Sequence, residues 1–158
     1  MDKQVLIDEL IEQLEQQITT LNSAMEQTVD AATNEETVPE HKYDTLALEA
    51  SYLAHGQAMR LEEIRRDITM LKSFTLNDLA SDSAISLGAL VELEDVNEEH
   101  SYYFLLPTAG GAKLANESVV VVTPHSPLGK ALKGGVVDDE VSVPIGDQRR
   151  VYDIISVC

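Results

Sequence analysis

From Ile7 onward the apolar residues return in alternating steps of four and three, at Ile7, Ile11, Leu14, Ile18, Leu21 and Met25, which is the spacing of a coiled-coil seam. Asp, Glu, Gln and Thr fill the positions between them, and neither Pro nor Gly occurs before Pro39. The spacing predicts one helix from about Asp2 to about Asp30, roughly 40 Å long at about 1.5 Å per residue. The pattern breaks in AATNEETVPE, where Thr, Asn and Pro39 supply turn and cap chemistry. A second apolar face then runs through Leu46, Ala50, Leu53, Ala54, Ala58, Leu61, Ile64, Ile68 and Leu71, and its drift implies a stutter near Gln57. Two helices of similar length on a short connection fold back on each other, so residues 1–74 are expected to form an antiparallel hairpin.

Periodicity is lost in SFTLNDLASDSAISLG, which gathers Ser and Asp, and residues 75–87 are read as a linker. Beyond it the character changes to strands. ALVELED alternates apolar and polar side chains, YYFLL and SVVVVT are aromatic and β-branched runs, and EVSVPI and RVYDIISV alternate again. Five strands in a mostly antiparallel sheet are expected over residues 88–158, making the fold class α+β. One short helix interrupts them in HSPLGKALKGG: Ser126 suits the N-cap, Pro127 the first helical position and Gly134 the C-terminal cap. Leu128, Ala131 and Leu132 would pack that helix on the sheet.

Charge narrows the partners. The net charge is −17, with 28 acidic residues against 11 basic, and residues 1–84 hold 17 of the acids but 6 of the bases. Such a surface repels nucleic acid and anionic lipid at long range, so a basic partner is favoured over phosphate binding by the whole surface. With no Trp and two Phe, a large aromatic-lined pocket is not expected. The single cysteine, Cys158, excludes an internal disulfide and a cysteine zinc site within one chain, and suits a reducing cytoplasm. The start, MDKQVLIDELIEQL, places acids inside its apolar pattern and is not read as a signal peptide. No run of about 18 apolar residues occurs, so no membrane span is expected.

The segment SPLGKALKGGVVDDEVSVPIG, with its approach VVVVTPH and its closing strand RRVYDIISV, resembles the C-terminal domain signature of the bacterial GreA/GreB transcription factors. The order of parts, a coiled-coil hairpin and then a small domain of the FKBP-like type, is similar to that family over nearly the whole chain. The resemblance implies a non-enzymatic elongation factor that binds RNA polymerase. In such factors the hairpin enters the secondary channel, and acidic residues at its tip reach the polymerase active site beside the nascent RNA. There they would help hold Mg²⁺ shared with the polymerase and stimulate cleavage of backtracked RNA. No cofactor of the chain's own is implied. Ser126, Pro127, Leu128, Gly129 and Lys130 fall in the segment implied to contact the polymerase at the channel rim.

Family members that stimulate cleavage carry two acids three residues apart at the tip, shortly before a Tyr. With Tyr43 matched to that Tyr, Glu36 falls on the first acidic position and Pro39 on the second, while Glu40 reaches the second only with a one-residue shift. Glu36 and Glu40 are therefore the candidate tip carboxylates and Mg²⁺ ligands. Thr37-Val38-Pro39-Glu40 equally fits a capping box, in which Glu40 returns a hydrogen bond to the helix start. A secondary-channel binder that modulates transcription without stimulating cleavage is the alternative.

His41, His55, His100 and His125 are scattered and make a zinc site improbable. Ser126 lacks a nucleophile elbow. Lys130, Lys133, Arg149 and Arg150 supply most of the second domain's positive charge, either as a polymerase-facing patch or as solubilising surface. Two further classes are open: a prolyl isomerase, opposed by the alternation that prevents Tyr102, Tyr103 and Phe104 from sharing a pocket, and a coiled-coil dimer, against which a monomer is expected.

Overall fold

A computed structural model of the chain describes residues 1–33 and 41–158, without the side chains of residues 31–44 and 46. Helix α1 spans Lys3–Thr33 and α2 spans His41–Ser73. Asp2 caps α1, its Oδ1 accepting from the amides of Gln4 at 2.9 Å and Val5 at 3.4 Å. The chain divides into two compact units, Met1–Leu10 with Met70–Cys158, and Ile11–Thr69.

In the second unit the helices lie side by side, residues 13–24 of α1 and residues 60–64 of α2 lining one groove, so the early part of α1 faces the late part of α2. The seam differs from the expected one. Leu10 is fully buried where Ile11 is only half-buried, and Leu6 is buried as well. The first turns of α1 have a second neighbour, which widens the buried stripe. Lys3 Nζ donates to the Asn77 carbonyl at 3.2 Å, and the Glu9 carboxylate accepts the Ala115 amide at 3.1 Å on both oxygens. On α2 Leu61, Ile64, Ile68 and Leu71 are buried and Ala50, Ala54, Gln57, Ala58 and Asp67 half-buried; steps of four and three run through Ala50, Ala54, Gln57, Leu61, Ile64, Ile68 and Leu71, with Ala58 and Asp67 beside that line. Near the expected stutter Gln57 and Ala58 share the half-buried face, while Leu53, expected on that face, is 56% exposed.

The first unit is built on a six-stranded sheet of β1 (Leu90–Asp95), β2 (His100–Leu105), β3 (Lys113–Leu114), β4 (Val119–Val122), β5 (Glu140–Ile145) and β6 (Gln148–Val157), in the order β3-β4-β2-β1-β6-β5. β3, two residues long, is the strand that alternation did not foresee. β2 and β4 pair in parallel and the other neighbours antiparallel. Helix α3 (Pro127–Leu132) lies between β4 and β5 in sequence. The main core joins Val91, Leu93, Leu105, Val122, Val141, Val143, Tyr152, Ile154 and Val157 of the sheet to Leu132 of α3. Ile85, in the stretch read as linker, belongs to this core at 1% exposure, and its backbone exchanges hydrogen bonds of 2.8 Å with Gly134 and Gly135. No helix among the described residues is long and apolar enough to cross a membrane.

Candidate functional site

Glu36 and Glu40 lie outside the described residues, so the expected tip site has no geometry here. Ser126–Lys130 are fully described. Ser126 sits at the N-cap of α3, its Oγ accepting from the Gly129 amide at 3.0 Å and donating to the Thr123 carbonyl at 2.8 Å. Both contacts commit the hydroxyl to the turn, which removes it as a nucleophile. Gly129 is demanded by sterics: a Cβ there would stand 1.9 Å from the Thr123 carbonyl oxygen. Gly134 closes the helix with φ +84°, a left-handed conformation that suits glycine.

Leu128, with Ala131, packs partly against the main core as expected, and with Pro127 at the helix start it also lines a groove of about 550 Å³. Its other walls come from Tyr103 of β2, Val120–Val122 of β4, Val143–Ile145 of β5 and the Gly110–Gly111 turn. The sequence did not reveal this groove, because strand register assembles it from segments far apart in the chain. Tyr103 stands opposite Val91, on the core face, while Tyr102 donates to Glu92 at 3.0 Å and Phe104 is fully buried. The alternation that argues against an aromatic isomerase pocket is thus visible: one aromatic ring, Tyr103, lines the groove. Burial raises the Tyr103 phenol above its ordinary range, with nearby Tyr152 adding to the effect, so it stays neutral near pH 7.

Four exposed cations lie on or next to elements that contribute to the groove or pair with them. Arg150 and Arg149 stand directly opposite Val143 and Pro144, and Lys130 and Lys133 lie on and just after α3. Ion pairs among the described residues involve Arg60, Arg65, His100 and Lys113 rather than these four. Arg150 acts electrostatically on Asp95 and Tyr103.

A second polar group spans β1, β2 and β6. His100 contacts Glu92 through Nδ1 at 2.9 Å and Glu94 through Nε2 at 3.2 Å, and Ser156 Oγ donates to Glu92 at 3.0 Å. Burial pushes the Glu92 carboxyl up, but hydrogen bonds from Ser156, Tyr102 and His100 outweigh it and hold the group below its usual range. No set of three or more His, Cys, Asp or Glu among the described residues is arranged to hold a metal.

A sheet domain carrying this capped α3, preceded by a helical hairpin, defines the class. Residues 80–158 match the family model described as transcription elongation factor, GreA/GreB, C-term. This chain belongs to the GreA/GreB family of transcription elongation factors. It is 26% identical over 160 residues to transcription elongation factor GreA of Acetivibrio thermocellus, covering 97% of this chain and 94% of that one. To GreA of Desulfovibrio desulfuricans it is 36% identical over 99 residues, 62% of this chain and 58% of that one. Among solved structures, the GreA factor homolog 1 (Gfh1) protein of Thermus thermophilus is similar with a TM-score of 0.40 and 20% identity, over 94% of both chains.

Proposed function

We propose that the chain binds RNA polymerase, places the tip of its hairpin in the secondary channel and stimulates cleavage of backtracked RNA. The carrying observation is the match of residues 80–158 to the family's C-terminal domain, behind two helices of 31 and 33 residues. In this reading the α3 groove is the docking surface: Ser126 and Gly129 set the turn, Pro127 and Leu128 present apolar contact, and Lys130 adds charge. Glu36 and Glu40 act at the tip, where carboxylates are the hard oxygen donors that the polymerase's Mg²⁺ accepts. The chemistry belongs to the polymerase and the chain is not itself an enzyme.

A polymerase walked into a backtracked state, then given this protein and Mg²⁺, tests the reading. Transcript shortening is expected, lost in Glu36→Gln/Glu40→Gln with binding retained. Binding without shortening in the parent chain favours the second reading, a channel-bound modulator, for which Pro39 at the expected acidic position speaks. Absence of binding refutes both.

A further inference from the structure

The hairpin unit is held unevenly along its length. Leu14, Leu61, Ile64 and Ile68 are no more than 8% exposed, whereas the α2 seam positions Ala50, Ala54 and Gln57 are only half-buried. An alanine layer removes less apolar surface from water than a leucine or isoleucine layer and contributes correspondingly less. Three further features coincide around residue 56. Gly56 is helical, and a Cβ built on it would meet nothing within 4 Å. No close approach calls for glycine there, and glycine inside a helix favours the open chain through backbone entropy. Gln57 occupies the seam with its Oε1 buried and without a hydrogen-bond donor among the described residues. A desolvated carbonyl oxygen without a donor favours any state that lets water reach it. On the outward side Tyr52, Leu53 and Met59 are 69%, 56% and 56% exposed, so these large side chains add little to closure.

We infer that Gly56–Gln57 is a built-in joint of the hairpin, at which α2 opens locally while the layers at Leu61, Ile64 and Ile68 stay closed. The joint separates two functions of one helix: the leucine and isoleucine layers keep the helices paired, and the alanine, glycine and glutamine segment yields. Local opening of this kind is a property of low-stability segments and leaves the global fold intact.

Hydrogen–deuterium exchange of the full chain, read by mass spectrometry, tests the joint without polymerase, so its failure is separable from failure of the function proposed above. Amides of residues 50–60 are expected to exchange at least about tenfold faster than those of residues 61–68. Gly56→Ala should slow exchange in residues 50–60 about fivefold, the equivalent of about 1 kcal/mol of helix propensity. Gln57→Leu should slow it as well, and neither substitution should change residues 61–68. Equal protection of the two segments in the parent chain, or unchanged exchange in both variants, overturns the inference.

Discussion

Gly129→Ala is the substitution whose outcome the structure specifies most closely. The added Cβ would stand 1.9 Å from the Thr123 carbonyl oxygen and 2.7 Å from its carbon. An unstrained carbon–oxygen contact lies at about 3.3 Å, so α3 would have to retreat by about 1.4 Å. The turn it leaves is closed by Ser126 N to Thr123 O at 3.0 Å, Ser126 Oγ to the same oxygen at 2.8 Å and Gly129 N to Ser126 Oγ at 3.0 Å. Losing the N-cap costs about 1 kcal/mol. Partly unseating Leu132, which is fully buried, costs about 1–2 kcal/mol more. The total, about 2–3 kcal/mol, lowers the melting midpoint of a domain this size by about 10–20 °C. Thermal unfolding followed by circular dichroism measures it, with Ser126→Ala as the comparator that removes only the cap. If Gly129→Ala destabilises no more than Ser126→Ala, the steric account of the glycine is wrong.

Ile145 lines the groove and is 46% exposed, so Ile145→Asp places a charge in the groove wall without entering the core and should weaken polymerase binding by about tenfold or more in a pull-down titration, with a circular dichroism melt that matches the parent chain's. Arg149→Glu/Arg150→Glu should reduce polymerase affinity and flatten its dependence on salt, since it removes two of the four cations on or beside the groove elements; unchanged salt dependence would make the cations ordinary solubilising surface. Asp95 is held below its usual range by the backbone amide of Glu99 and then that of Asn97, and Glu92 is also lowered. A lowered folded value means stability that is present above the unfolded pKa and lost as pH falls through the folded one, so the midpoint should drop as pH falls below the ordinary carboxylate values of 4.5 for Glu92 and 3.8 for Asp95. Asp95→Asn with Glu92→Gln should flatten that drop, and an unaltered acid limb would count against both assignments.

The elements were legible where the signal is local. Heptad spacing located α1 and α2, alternation located β1, β5 and β6, aromatic and β-branched runs located β2 and β4, and Ser126, Pro127 and Gly134 punctuated α3 where the structure places it. What stayed hidden depends on a second neighbour or on distant pairing. Leu10 rather than Ile11 is buried because the start of α1 is covered from another side, where Glu9 accepts the Ala115 amide. Gln57 shares the half-buried face with Ala58, and a polar residue does not announce such a position in the sequence. The parallel β2–β4 pair, the groove and the contacts of His100 with Glu92 and Glu94 come from register between strands, which no single segment encodes. Glu36 and Glu40, the candidate tip carboxylates, lie outside the described residues.

The five signature residues divide by physical duty, and the division decides how function can be tested. Ser126 and Gly129 are consumed by the turn: one caps the helix, the other admits the Thr123 carbonyl. Changing either disturbs the fold, so a loss of activity there cannot separate docking from stability. Pro127 and Leu128 border the groove and Lys130 is exposed, which makes them the residues whose side chains a partner can meet. The charge distribution points the same way. In a chain of net charge −17, four of the five cations beyond residue 84 lie on or just after α3, or on β6 beside the groove strand β5. A partner drawn to the acidic hairpin needs basic surface, whereas one seated in this groove needs apolar side chains edged by acid. One macromolecule meeting both demands must present oppositely charged surfaces to the two units, so reversing the groove's charge should weaken binding even though it brings the chain nearer to uniform acidity.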